Sequence, residues 1–252
     1  MNNRIGIIIQ ARMGSTRLPG KVLLPFYNGN TILEILLTRI LATFPKIPII
    51  VATSDLTSDI PITALSDMYN VHSFQGSEDN VLQRMVDAAR HYNIDKIIRV
   101  CADNPFLDMF YLKALIDNYN GEDYLSYAFG DGTPVIKSHL GLFAEATSLN
   151  ALERVLSMTS DILYLEHVTN YLYLNPDNFL INWIPLPEIL NERKDLRFTA
   201  DSKEDFINYQ DLFSQLKSAN ALDFSLEELI SLVETNPNYL EIMNLEIQKN
   251  IK

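Results

Sequence analysis

The stretch IGIIIQARMGSTRLPGKVL, residues 5–23, joins two kinds of chain without a transition. Ile5 to Ile9 is a continuous aliphatic run of strand length, the pattern of a strand buried on both faces of a parallel sheet. Directly after Gln10 come Arg12, Arg17 and Lys21, set among Gly14, Ser15, Thr16 and Gly20. In open parallel sheets ligands bind beyond the carboxyl ends of the strands, and the loop after the first strand commonly holds phosphate. Glycines let backbone N–H groups approach anionic oxygens, while Arg and Lys supply charge. The loop therefore reads as an anion cradle, against the alternative of a solvated surface loop whose cations offset neighbouring acids.

Two familiar phosphate loops fail on spacing. A Walker A loop needs G-x-x-x-x-G-K-[ST], but here five residues separate Gly14 from Gly20 and Val22 follows Lys21. The dinucleotide-binding G-x-G-x-x-G does not occur either.

Outward from this stretch, the N-terminal half alternates β-branched runs with helical patterns. Strands are predicted at residues 5–10, 47–53, 71–74, 96–101 and 123–127, and helices at 31–43, 60–69, 80–91 and 107–119. Such alternation predicts an α/β fold with a mostly parallel sheet covered on both faces. The second half is less regular. A Gly/Pro-containing loop spans 130–137, a strand is predicted at 139–144, helices at 148–158 and 162–174, and strands at 179–185 and 196–199. A capping-box-like opening, Ser202 to Asp205, starts another helix. The expectation is one domain over residues 1–252, with an embedded subregion at about 128–190 and a peripheral helical tail from about 219.

Composition bounds the function. The chain has 252 residues, formal net charge −12 and 47% hydrophobic residues. An excess of acid argues against a nucleic-acid binder, which would carry a basic face. No apolar run approaches the roughly 20 residues that span a bilayer, and MNNRIGIIIQ lacks the pattern of a signal peptide. A single cysteine, Cys101, excludes an internal disulfide and fits a reducing cytoplasm, and four scattered histidines form no zinc constellation. The expectation is a cytoplasmic protein with neither nucleic-acid nor membrane partners.

The loop GIIIQARMGSTRLPGKVL resembles the N-terminal signature of the sugar cytidylyltransferases, most nearly the spore-coat polysaccharide biosynthesis type. That branch is related to the 3-deoxy-manno-octulosonate and acylneuraminate cytidylyltransferases. The blocks VATSDLTSDIPI, QGSEDNVLQRM, IIRVCADNPFLD, HLGLFAEATSLNAL, LEHVTNYL and DLRFTADSKEDF resemble family blocks in the same order, over about residues 4–215. The resemblance implies a Rossmann-like three-layer nucleotidyltransferase fold of the nucleotide-diphospho-sugar transferase type. It implies transfer of CMP from CTP to a sugar acid or similar acceptor, release of pyrophosphate, a Mg²⁺ cofactor and a homodimer.

Nucleotidyl transfer must neutralise and position a triphosphate, so cations and a metal dominate its chemistry. By resemblance, Arg12 and Lys21 are the catalytic cations, while Ala11, Gly14, Ser15, Thr16 and Arg17 wrap the phosphates. Mg²⁺ takes a few carboxylates plus phosphate oxygens and water. Asp103 and Asp201 each follow a predicted strand and match the family's metal-binding acids, although an acid before a helix also suits an N-cap. Gln75 and Ser77 are the base-reading candidates, and Arg84 either orients that loop, touches phosphate or is an ordinary helical arginine. The acceptor candidates are His139, Gly141, Glu145, Glu166 and His167. His139 is either an acceptor contact or a satisfied structural histidine, and His167 also suits packing or a dimer contact.

Departures from the family pattern bear on the acceptor. Ala102-Asp103-Asn104-Pro105 replaces the usual Gly-Asp-Cys-Pro or Gly-Asp-Glu-Pro, and Leu140 stands where the branch commonly has Asp. Rival readings are a nucleotidyltransferase using another NTP, or one whose acceptor is a phosphonate, polyol phosphate or aminosugar. A non-catalytic nucleotide-binding homologue is a further rival, but Lys21, Asp103 and Asp201 are all retained. A glycosyltransferase normally carries an Asp-x-Asp metal motif, and none occurs here.

Overall fold

A computed structural model describes residues 4–216 and 224–250. Strand β1, Ile5–Gln10, lies inside a seven-stranded sheet, flanked by the parallel strands β4, Ile49–Ser54, and β6, Lys96–Cys101. A small antiparallel pair, β2 (Pro25–Tyr27) and β3 (Asn30–Thr31), lies apart from it. The large sheet is completed by β5 (His72–Gly76), β7 (Tyr124–Ala128), β8 (Glu145–Ser148) and β9 (Ile181–Pro185), in the order β5-β4-β1-β6-β8-β7-β9. Only β8 runs against its neighbours, so the sheet is mostly parallel, as the sequence predicts.

The aliphatic run of β1 is divided between two apolar layers. Ile7 and Ile9 face one cluster, Ile8 the other, and all three are fully buried. Alternation of side chains along a strand makes this the expected consequence of helices on both faces. The first layer holds α1 (Ile32–Thr43), α2 (Ile60–Met68), α4 (Met109–Asn118) and α8 (Lys203–Gln215). The second holds α3 (Val81–His91), α5 (Leu149–Met158), and two short helices, α6 (Ile162–Glu166) and α7 (Asn170–Leu174). Capping chemistry sets several starts: Thr31 with Glu34 opens α1, and Ser202 with Asp205 opens α8, each as a reciprocal capping box.

Three expectations change. The segment predicted as a strand over 139–144 makes no ladder, and the strand β8 begins only at Glu145. Gly141 sits at φ +60°, left-handed backbone that a strand cannot contain, and the segment's carbonyls go elsewhere. Phe198 N–H donates to His139 O at 2.9 Å, and Asp108 N–H to Leu142 O at 2.9 Å. The same bond leaves the predicted strand 196–199 as an extended crossing rather than a ladder. Finally, the single helix predicted over 162–174 breaks into α6 and α7 at Val168 and Thr169, because Thr169 Oγ1 is drawn to Glu145 at 2.8 Å.

The β2–β3 hairpin was not read from the sequence, although Asn28-Gly29 marks it. Both residues have positive φ, 49° and 81°, as a two-residue hairpin turn requires. At the C-terminal end, residues 217–223 lie outside the described residues. Helices α9 (Leu226–Thr235) and α10 (Pro237–Lys249) bury Leu229, Ile230, Val233 and Met243 in the first layer, so this tail contributes to the core and is not peripheral.

Gly141 carries a stability prediction. A Cβ there would lie 2.9 Å from Phe198 C and 3.0 Å from its carbonyl oxygen, both backbone atoms that cannot yield cheaply. Gly141→Ala is expected to cost about 1–3 kcal/mol, lowering Tm by about 2–4 °C per kcal/mol. An unchanged thermal unfolding curve would show that the crossing of 141 over 198 adjusts freely.

Candidate active site

Gln10, the last residue of β1, pairs with Ala52 on one side and Cys101 on the other, so the strand ends lie level. The loops that follow open on one edge of the sheet and border a cleft of about 740 Å³. The cationic loop is folded on itself: Ser15 N–H and Gly20 N–H both donate to Met13 O at 2.9 Å. Gly20, at φ +72°, then turns the chain into a short 3-10 turn that aims Lys21 inward.

A buried acid fixes the start of this loop. Met13 N–H donates to Asp59 Oδ1 at 2.9 Å, while Asp59 Oδ2 accepts from Thr53 Oγ1 at 2.8 Å and Ser54 Oγ at 2.7 Å. Burial pushes the Asp59 carboxyl up, but hydrogen bonds from Ser54, Met13 and Thr53 outweigh it and hold the group below its ordinary range. Asp59 was missed in the sequence, where its position before a helix reads only as a cap.

Lys21 bridges two carboxylates that are distant in sequence. Its Nζ lies 2.9 Å from Asp103 Oδ2, just past β6, and 3.0 Å from Asp201 Oδ1, just before α8. Ala200 N–H donates to Asp103 O at 2.8 Å, tying the two acid-bearing segments together by backbone. Burial pulls the Lys21 ammonium down, yet the two carboxylates more than reverse it. Burial likewise pushes Asp201 up, while Lys21, Arg17 and Arg197 bring it down to about 2. Arg17 approaches Asp201 at 3.3 Å from the solvent side and also bonds Asn250.

A single ammonium within hydrogen-bonding distance of both acids shows that the two carboxylates converge on one cation-sized space. Among the described residues no group of three or more His, Cys, Asp or Glu is placed so that it could hold a metal ion. A pair of protein carboxylates is a donor set that fits a divalent cation completed by phosphate oxygens and water, not an all-protein cage.

Behind Asp201 stands Arg197, fully buried and not singled out in the sequence. It holds Asp205 in a two-pronged contact, Nε to Oδ1 at 2.8 Å and Nη2 to Oδ2 at 2.7 Å, and reaches Asp201 Oδ2 at 3.2 Å. Its Nη1 lies 2.6 Å from His139 Nδ1. His139 is buried and does not border the cleft.

Ala11, Arg12, Ser15, Thr16 and Arg17 all line the cleft, whereas Gly14 does not. Gln75, Ser77 and Arg84 lie outside its wall, which Val81 reaches from the start of α3. Gln75 donates to Ser54 O at 3.2 Å, and Ser77 Oγ accepts from Asn80 N–H at 3.0 Å. Arg84 is buried and donates to Ser77 O at 2.7 Å, which matches the loop-orienting role and not an exposed helical arginine. Burial first, then the Arg12 charge, pull the Arg84 guanidinium down.

On the other side, Gly141, Glu145, Glu166 and His167 border the cleft. Glu145 is buried and accepts from Arg99, Tyr124 and Thr169. Arg99 also donates to Gln10 Oε1 at 3.0 Å, so a neutral ion pair forms the floor. Glu166 is more exposed and pairs with Arg12 at 3.4 Å.

A cation loop over paired acids at the carboxyl edge of a parallel sheet is the arrangement of a nucleotidyltransferase, and comparison with known proteins agrees. Residues 6–243 match the cytidylyltransferase family. The chain is a member of that family. This cytidylyltransferase is 34% identical over 245 residues to the spore coat polysaccharide biosynthesis protein SpsF of Bacillus subtilis, covering 94% of this chain and 96% of the relative. Its fold superposes on a cytidylyltransferase from Leptospira borgpetersenii with TM-score 0.82 and 31% identity, over 94% of this chain and 96% of that one. A CMP:2-keto-3-deoxy-manno-octonic acid synthetase complexed with CTP shares the fold at TM-score 0.59 and 15% identity, over 84% and 99% of the two chains. The enzyme has no described helix long and apolar enough to cross a membrane.

Proposed function

We propose that this enzyme transfers CMP from CTP to a sugar acid or related acceptor, with Mg²⁺, and releases pyrophosphate for the synthesis of a surface polysaccharide or glycoconjugate. The observation that carries the reading is the Lys21–Asp103–Asp201 cluster beneath the glycine-containing cationic loop. Asp103 and Asp201 would hold the metal, which supplies charge neutralisation to the phosphate oxygens when bound. Arg12, Arg17 and Lys21 then neutralise and orient the triphosphate, and backbone N–H groups of the loop donate to its oxygens. An acceptor oxygen attacks the α-phosphorus in line with the bridging oxygen to the β-phosphorus. That bond breaks, and the negative charge that develops on pyrophosphate meets Lys21 and Arg17. The acceptor approaches over the Arg99–Glu145 floor.

The name of the SpsF relative supports a polysaccharide product, and the CTP complex of the octonic acid synthetase supports the nucleotide. A related fold solved with manganese supports a divalent ion. Exposed Trp183 on the edge strand β9, with exposed Leu180 just before it, supports a homodimer through this edge. A chain with a single cysteine, Cys101, fits a reducing cytoplasm.

Calorimetry with Mg²⁺ and each of CTP, UTP, GTP and ATP tests the nucleotide. CTP is expected to bind at least about tenfold more tightly than UTP, since a site built to hydrogen-bond one base leaves polar groups unpaired with another. Equal affinities would overturn the cytidylyl assignment.

A further inference from the structure

Five cations line the cleft: Arg12, Arg17, Lys21, Arg99 and Lys137. Four of them face carboxylates, in the pairs Arg12–Glu166, Arg17–Asp201, Lys21 with both aspartates, and Arg99–Glu145. Lys137 alone among them has no carboxylate partner among the described residues; its Nζ lies 5.6 Å from the Tyr173 ring centroid. The turn that carries it is ordered, with Lys137 N–H donating to Pro134 O at 3.0 Å and Ser138 N–H to Val135 O at 2.9 Å. Beside it, Tyr173 donates its hydroxyl to Asn170 Oδ1, and Asn170 lines the same cleft.

Sheet order locates this corner. The Tyr173 ring packs 5.8 Å from that of Tyr124 on β7. Strand β7 is separated from β1 by β8 and β6, about 14 Å across the sheet at roughly 4.8 Å per strand. The uncompensated charge therefore stands across the cleft from the triphosphate loop, on the side of the Arg99–Glu145 floor.

We propose that Lys137, with Asn170 beside it, anchors an anionic group of the acceptor, a carboxylate or a phosphate, and so determines acceptor specificity. This rests on the cytidylyltransfer reading, which assigns the β1 side of the cleft to the nucleotide. A compact ammonium on a fixed turn reads charge without demanding the planar fork that Arg would. The ammonium itself stands over the Tyr173 ring, 5.6 Å from its centroid, with no carboxylate drawing on its charge among the described residues.

The test uses the full-length enzyme saturated with CTP and Mg²⁺. Binding of N-acetylneuraminate and glucuronate, of ribitol 5-phosphate, and of the neutral N-acetylmannosamine and ribitol is followed by ligand-observed NMR. Lys137→Met keeps an unbranched apolar side chain and removes only the charge, while Lys137→Glu reverses it. At least one anion is expected to bind wild type, its neutral counterparts are not, and Lys137→Met is expected to weaken the anion by roughly 10- to 100-fold. Carboxylate against phosphate ligands then tells which anion is read. CTP affinity, measured separately by calorimetry, is expected to stay the same in both variants. Unchanged anion affinity in Lys137→Met, equal binding of neutral ligands, no anion bound to CTP-loaded wild type, or a loss of CTP affinity instead would each overturn the assignment. Failure of CTP to bind wild type at all would overturn the underlying nucleotide reading, a separate result from the same calorimetric arm.

Discussion

Asp103→Asn is expected to abolish metal-dependent pyrophosphate release while the protein stays folded. The side chain is 30% exposed and its resolved partner is the Lys21 ammonium at 2.9 Å, so the isosteric amide removes charge without opening a cavity. Lys21 keeps its second partner, Asp201, at 3.0 Å, and the folded cation is not stranded. Chemistry is where the loss falls. A divalent ion held by two protein carboxylates retains one, and a triphosphate positioned by that ion loses its register against the attacking oxygen. A rate decrease of about 10³-fold or more is expected, with thermal unfolding close to wild type. Single-turnover pyrophosphate release at saturating CTP and Mg²⁺, beside a melting curve, separates the two effects. Near-normal turnover would remove Asp103 from the metal site.

The parts of this arrangement that were legible in sequence are those fixed by short-range pattern. Strands β1 and β6 have the predicted boundaries, residues 5–10 and 96–101, because aliphatic runs end sharply in polar loops. The helix α5 starts one residue past its predicted start, behind a Ser148 cap that bonds Ala151 N–H at 3.1 Å. Asp103 and Asp201 were each visible as acids after predicted strands, and Lys21 as a cation of the loop after the first strand. Their meeting depends on sheet order, which brings together positions 82 and 180 residues apart.

What was not legible has a common physical origin in long-range hydrogen bonding. Thr169 breaks a helix only because Glu145 lies within reach, and that pairing requires β8 to run antiparallel to β6. The 139–144 segment has strand-like composition but gives its carbonyls to residues 108 and 198. Arg197 fell within the strand predicted over 196–199 and was not singled out. Burial against Asp205, Asp201 and His139 makes it the support for Asp201 instead, and nothing within its own neighbourhood of sequence announces that.

Lys21→Met is expected to cost both rate and stability, with the two losses responding differently to metal. The methionine fills the space of the stem but leaves Asp103 and Asp201 facing each other without the cation between them. Asp201, ordinarily near 3.8 and held at about 2 in the folded protein, then loses the largest influence holding it down. In wild type its stabilising contribution is fully present above pH 3.8 and is lost as pH falls toward 2; in the variant that window shifts upward. Without metal, stability near neutral pH is expected to fall by about 1–3 kcal/mol, since breaking a partly buried pair strands charge. Mg²⁺ supplies that charge, so the variant's Tm should recover on adding it, while wild type, where the ammonium competes for the same two acids, should gain less. Turnover will not recover, because the developing charge on pyrophosphate still lacks its ammonium, and a loss of about 10²- to 10³-fold is expected. Melting curves in EDTA and in Mg²⁺, paired with pyrophosphate release, read both halves. A solvated surface lysine would change neither, and a variant that melts and turns over like wild type would return the opening loop to that reading.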